Sequence, residues 1–292
     1  MPAIKKIKNF TNFIKKLITE IKKDDIFSAA NDLTYKIFFS LFPFTIFLMS
    51  AVSFFKLDAE ILINEISSVL PYVINQSVKD IIKEILNMRN ANILSVSLLI
   101  SLYSASSGFR TAMRSINKAY GRKDSRKFYL KILISMALVV IFTVIIIASF
   151  VLLIFGGEIL NFIKNYYNFH NALMFYIFNV SRYIISVIIM FFSVVLINKL
   201  ALANLGRLGK LDRLEQKTKI KSLFPGAFIT VFAWLAVSGV FNIYIEKFSS
   251  YSSVYGSIAG IIIFMLWLNI MCAALLIGSE INAISVINMQ KT

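Results

Sequence analysis

One histidine and one cysteine in 292 residues leave little for catalysis to work with. His170 and Cys272 are too few for a His/Cys zinc site, their positions do not suit a Cys–His dyad, and no disulfide or CxxC pair can form within the chain. Cys272 lies inside an apolar run and reads as a small packing residue. Charge is scarce too, at 16% of residues against about 25% in soluble domains. The 15 acids fall mostly in charged loops or at the ends of apolar runs. A nuclease needs paired carboxylates for metal ions, or His and Lys set for acid/base work, and this distribution offers neither. No GxxxxGK[ST] stretch occurs, so direct use of ATP is not expected. These scarcities predict a protein that is not an enzyme and that carries no metal and no cofactor.

What the chain holds instead is apolar length. Hydrophobic residues make up 58% of it, gathered in runs of about 20 residues, which is what a helix needs to cross a bilayer. Six such runs lie at about 37–55, 92–108, 132–155, 176–197, 225–245 and 257–277. The expected fold is an all-α polytopic membrane protein with six transmembrane helices in a domain spanning 24–285. Residues 1–23 form a separate element. Ile4, Ile7, Phe10, Ile14, Leu17, Ile18 and Ile21 recur at helical spacing, with lysines mostly off that stripe. This predicts a basic amphipathic helix lying in the headgroup region. It is not read as a signal peptide, because no short apolar core with a cleavage site follows it. Asp24 and Asp25 can restart the helix. Residues 57–90, broken at Pro71, read as two further amphipathic interfacial helices, and 286–292 as a short tail.

The formal charge of +16 raises the question of nucleic acid, and a basic arm at 1–23 is the form such binding would take. The placement of the charges argues for membrane orientation instead. Residues 1–36 hold eight lysines against four acids, 108–131 eight basic residues against one acid, and 198–223 seven against two. The intervening segments 56–91, 156–175 and 246–253 hold six basic residues against seven acids. The positive-inside rule therefore places both termini in the cytoplasm, and an even number of spans agrees with that.

Within the spans a few residues stand out. Pro43 should kink or loosen the first span. Asp32 and Lys36 sit four apart just before it and can pair. The second span is rich in serine, including Ser97, Ser101 and Ser104, which suits either close helix packing or a polar path. Its helix runs on through Arg110, Arg114, Lys118 and Arg122, a cationic stripe that reads as a solvated positive-inside segment or as a seat for an anionic headgroup. Arg182, about two turns into the fourth span, either snorkels to the interface or faces the bundle interior. Glu280 ends an otherwise uncharged run that begins at Tyr251. It is read as an intramembrane functional acid, or as an interfacial acid paired with Lys36 or a loop cation. Gly256 and Gly260 make a small-xxx-small face through which oligomers can pack.

The motifs Leu33-Thr34-Tyr35, Ser40-Leu41-Phe42-Pro43, Ala119-Tyr120, Pro225-Gly226-Ala227, Trp234, Tyr244, Tyr255-Gly256-Ser257, Leu266-Trp267 and Gly278-Ser279-Glu280-Ile281-Asn282-Ala283 resemble the YihY/BrkB family of inner-membrane proteins. The likeness runs from about residue 25 to 285 and is most specific in the last third. Where the family usually reads leucine-glycine-alanine-glutamate, this chain has Ile277-Gly278-Ser279-Glu280. The resemblance implies a six-helix bundle in the bacterial cytoplasmic membrane. Members have carried the name ribonuclease BN, have been linked to serum resistance and have been proposed as lipid exporters. The residues themselves do not support the ribonuclease name.

Two functions are expected from different classes. The first is a transporter or lipid translocase for an anionic, lipid-like substrate, with Arg182, Glu280 and the serines of the second span along its path. The second is a structural or scaffolding membrane protein in which the same small residues only permit tight packing. Anionic membrane lipids are the expected partners in either case, and nucleic acid is not.

Overall fold

The computed structural model describes residues 2–54, 91–122, 124, 126–145, 172–203, 220–248 and 252–289. These residues form seven α-helices: α1 Pro2–Lys23, α2 Ile26–Phe54, α3 Ala91–Ala119, α4 Phe128–Ile145, α5 Ala172–Leu202, α6 Phe224–Phe248 and α7 Ser252–Met289. A 3₁₀ turn, Ile220–Leu223, leads into α6. The amphipathic helices expected within 57–90, the second half of the third span and His170 lie outside the described residues. Among the described residues, four stretches are long and apolar enough to cross a membrane: Phe128–Ile145, Val180–Leu202, Ile220–Tyr244 and Gly260–Ile287. α2 and α3 stand where the first two spans are expected.

The chain divides into two compact units, one of residues 1–34 and 109–292, the other of residues 35–108. In the smaller unit α2 carries a row of rings, Tyr35, Phe38, Phe39 and Phe42, with neighbouring centroids 4.7 to 6.0 Å apart. Pro43 sits inside α2, where it removes one donor from the helical ladder. Along α3 the hydroxyls of Ser101, Ser106 and Ser107 bond back to carbonyls of their own helix. Such bonds satisfy a serine without any partner from another helix.

In the larger unit, α1 stops at Lys23 because Asp25 takes a left-handed backbone, φ 55°, which aspartate tolerates better than most residues. The Asp25 carbonyl then accepts the Ala29 N–H and opens α2. The end of α3 is a Schellman turn: Gly121, φ 64°, donates to the Lys118 carbonyl and Arg122 to the Asn117 carbonyl. The core joins five helices through Met113 and Ile116 of α3, Leu138 of α4, Val194 and Ala201 of α5, Ala227 of α6 and Leu275 and Ala283 of α7. Large apolar side chains on the outer faces stay exposed, among them Leu133, Phe228, Phe232, Val240 and Ile262. On helices of this length that is the pattern of a lipid-facing surface.

The expected close of the last span at Gly278 does not occur, and α7 continues to Met289. Gly278 is there for contact rather than termination. A β-carbon on it would run into Thr230 and the Gly226 backbone, and one on Gly226 would run into the Gly278 carbonyl and Asn282. The missing side chains let α6 and α7 cross backbone to backbone, and Ile281, Ala283, Ile284 and Val286 then bury the added turns. Asn282 fixes the crossing. It accepts the Gly226 N–H at 2.7 Å and donates to the Leu223 carbonyl at 3.0 Å. Trp234 adds a bond from Nε1 to the Met271 carbonyl at 2.9 Å.

Candidate functional site

The site forms where the last turns of α7 meet α1 and the end of α3. Continuation of α7 past Gly278 carries Glu280 into the protein, where it is 1% exposed. Its Oε1 has no hydrogen-bond partner among the described residues. The Asp24 carboxyl, set by the α1–α2 turn, is within hydrogen-bond reach of Glu280, with Glu20 and Lys23 of α1 close behind. Lys23 is held by Glu20, Nζ to Oε2 at 2.7 Å. Tyr120, the last residue before the Gly121 turn, is also buried, lies near Glu280, and has a hydroxyl without a partner among the described residues. Burial, and behind it the negative charge of Glu280, push the Tyr120 phenol well above its ordinary value, so it is neutral across the physiological range. The result is a buried patch with two carboxyls, a neutral hydroxyl and two unfilled polar atoms.

The cationic stripe takes a different form from the one its spacing suggests. α3 ends at Ala119, so Arg122 lies past the Schellman turn and off the helical row. Each cation then finds its own place. Arg110 donates to Ser135 at 3.4 Å, and Arg114 is exposed. Lys118 donates to the Asp24 carbonyl at 2.6 Å, and Arg122 to the Leu202 carbonyl at 3.1 Å. Arg126, which the sequence did not single out, is 4% exposed. It holds Asp124 at 2.8 Å and donates to the Leu200 and Ala201 carbonyls at 3.1 and 3.0 Å. Asn117 adds a second bond to Ala201. The last carbonyls of α5, which have no partners within their own helix, are thus capped by three side chains from the end of α3 and the turn after it.

A second polar seam joins α2 to α7. Asn269 donates to Asn31 Oδ1 at 2.6 Å and to Thr34 Oγ1 at 3.3 Å. Thr111 of α3 donates to Asp32 of α2 at 3.3 Å, so α2 is tied to α3 as well. Asn269 and Glu280 are eleven residues, close to three turns, apart on α7, so both face the α2 side.

Arg182 does not join this site. Its guanidinium donates to the Tyr183 hydroxyl at 3.2 Å and lies over that ring, 4.9 Å from the centroid. It stands about 28 Å along α5 from Ala201, whose end of the helix shares a core with Ala283 and Val286. Ser97 and Ser101 are buried and Ser104 is half-buried on α3, in the smaller unit. Gly260 has open space where a side chain would stand. Trp267 packs against Phe241 and Phe264. Tyr255 and Gly256 lie in the first turns of α7. Pro225 is the second residue of α6, where its missing N–H costs no hydrogen bond.

Residues 17–291 match the family described as Virulence factor BrkB. The chain belongs to that family. A relative from Bacillus subtilis (strain 168), named "Putative ribonuclease-like protein YfkH", is 28% identical over 277 residues, covering 94% of each chain. No solved structure matches. Family membership and the apolar helices together make this a multi-pass membrane protein.

Sequence reasoning found Glu280 but not its neighbours. Asp24 read only as a helix-start residue, and Tyr120 as part of a family motif. The available signal was Gly121: a glycine closing a helix fixes where that helix stops, and therefore where Tyr120 points.

Proposed function

We propose that the chain is a transporter or lipid translocase for an anionic, lipid-like substrate in the bacterial cytoplasmic membrane. It works with six spans, both termini in the cytoplasm and no ATP site of its own. The observation that carries this reading is Glu280. An acid buried in a run able to cross the membrane, with an oxygen left open, is costly to keep, and such groups mark translocation pathways. The exposed Arg114 of α3, and separately the exposed Lys127, Phe128 and Tyr129 at the start of α4, support basic and aromatic surface suited to anionic headgroups. Catalysis is not part of the reading, because the chain has one histidine and its paired acids, Asp24 and Glu280, are buried at 8% and 1% exposure. The word ribonuclease in the relative's name is not carried over.

A scaffold is the second reading, and one observation favours it. Arg122 and Arg126 are spent on capping α5, which is structural work. Reconstitution separates the two. Liposomes carrying the protein and a labelled anionic phospholipid should lose label from the outer leaflet several-fold faster than protein-free liposomes, with a neutral phospholipid moving more slowly. A rate equal to that of protein-free liposomes would sink the translocase reading and leave the scaffold.

A further inference from the structure

Two carboxyls, deep burial and two unfilled polar atoms come together in the larger unit where Glu280 meets Asp24 and Tyr120. The Glu280 carboxyl is 1% exposed with Oε1 open. Asp24, 8% exposed, is within hydrogen-bond reach of it. Two ionised carboxylates only accept hydrogen bonds, so a direct bond between them requires one hydrogen held in common. Tyr120 is a separate observation, since it comes from another helix and its buried hydroxyl is likewise open.

The other charged groups around the pair are Glu20 and Lys23 of α1, joined to each other at 2.7 Å, and Lys118 of α3, which donates to the Asp24 backbone carbonyl. None of these fills the open oxygen. No group of three His, Cys, Asp or Glu among the described residues is arranged to hold a metal ion. The ligand that suits two carboxyls in contact is a proton.

We propose that Asp24, Glu280 and Tyr120 form an internal proton-binding site, and that the proton bound there is the coupling ion for substrate movement. The second half rests on the translocase reading; the first does not. In the loaded state one carboxyl keeps the proton and donates it to the other, so the pair carries a single negative charge. In the empty state the proton has left to water and both carboxylates are ionised side by side, against α1. Their repulsion then works against the packing of α1 on the end of α7. Tyr120 offers its O–H to the open Oε1 in the empty state. Loading and release thus change the contact between two helices, which is what a coupling ion must do. The pair loses its proton as one unit, so its titration belongs to both residues rather than to either.

Two measurements on the full-length reconstituted protein test this. Infrared difference spectra recorded while the pH is stepped should show one carboxyl C=O band that appears on acidification. The band should vanish in Glu280→Gln and in Asp24→Asn, both close in shape to the native residues, and shift in Tyr120→Phe. A band unchanged in Glu280→Gln and Asp24→Asn would overturn the site. The second measurement is anionic-lipid flux in the same liposomes with and without an imposed pH gradient. Wild-type flux should change several-fold with the gradient, and Glu280→Gln flux should ignore it. Flux that is real but indifferent to the gradient in the wild type overturns the coupling. Absence of flux with the band intact overturns the translocase reading and the coupling, and supports the proton site.

Discussion

Gly226 of α6 and Gly278 of α7 face each other so closely that neither has room for a β-carbon. This is a helix crossing set by absence. Between membrane helices the hydrophobic effect offers no drive, because lipid is as apolar as leucine, and contact distance becomes the main source of cohesion. Alanine at either position therefore sets two effects against each other. Its helix propensity gains about 1 kcal/mol over glycine. The overpacking costs about 1–3 kcal/mol or more, and here it meets backbone rather than a side chain that can swing away. Gly226→Ala and Gly278→Ala should each lower the thermal inactivation midpoint in detergent. Gly260→Ala, with open space around it, should leave the midpoint unchanged or raise it. Equal losses in all three would show that propensity and crowding have been weighed wrongly.

Asn282 locks the same crossing and uses both ends of its amide, accepting from Gly226 N and donating to the Leu223 carbonyl. The two ends give different expectations. Asn282→Ala leaves a buried N–H and a buried carbonyl unpaired, at about 1–3 kcal/mol for each. Asn282→Asp keeps the acceptor for Gly226 but sets a carboxylate oxygen against a carbonyl oxygen. That variant should be as damaging as alanine at neutral pH and recover partly on acidification, when the carboxyl regains a donor. Chemical denaturation of the purified protein at two pH values reads this directly, and an Asp variant as stable as the parent at neutral pH would contradict the bond assignment.

The apolar helices were legible in the sequence because a bilayer demands long apolar runs, and four such stretches stand among the described residues. The extension of α3 past its span was legible too, since Arg110, Arg114 and Lys118 keep helical spacing. What could not be read were contacts between residues far apart. Gly278 falls just past the expected end of the last span, and only its partner in α6 shows what it is for. Asn282 and Gly226 are 56 positions apart, and no local pattern links them. Glu280 was visible as an odd charge in an apolar run. Whether it faced a cation or another acid depended on where α1 turns, and Asp25 decides that with a backbone angle that composition does not reveal.

Asp124 sets an acid limit on the stability of the α5 cap. Burial opposes its ionisation, but hydrogen bonds from Arg126 outweigh that and hold its carboxyl below the usual range. The folded value is the lower one, so the contribution is complete above the ordinary aspartate value of about 3.9 and is lost as the pH falls through the folded value. Wild-type protein should therefore lose stability relative to Asp124→Asn as the pH drops below about 4. The two should differ most at neutral pH, with the wild type ahead. Parallel inactivation curves for both proteins from pH 7 downward would show that the pair contributes nothing.

Arg126 is where the cap and the ion pair meet, and its removal should cost more than any neighbouring cation. Its guanidinium bonds both oxygens of Asp124, at 2.8 and 3.2 Å, and two carbonyls at the end of α5. Arg126→Ala leaves Asp124 with only the residue-126 backbone N–H and Lys131, 3.8 Å away, and uncaps those carbonyls together. The cost should therefore lie below the figure of about 3–5 kcal/mol for a fully buried pair left broken. Arg126→Lys keeps the charge but not the fork, so it should recover only part of the loss. Arg122→Ala removes the bond from a less buried cation to the Leu202 carbonyl, about 1 kcal/mol for that bond, and should cost less than Arg126→Ala. The double variant Asp124→Asn/Arg126→Ala supplies the internal check. Part of the damage in Arg126→Ala comes from a carboxylate left with weaker partners, so neutralising Asp124 alongside it should cost less than the sum of the two single losses. Additive losses would mean that the carbonyl cap, not the ion pair, holds the turn after α3 against the end of α5.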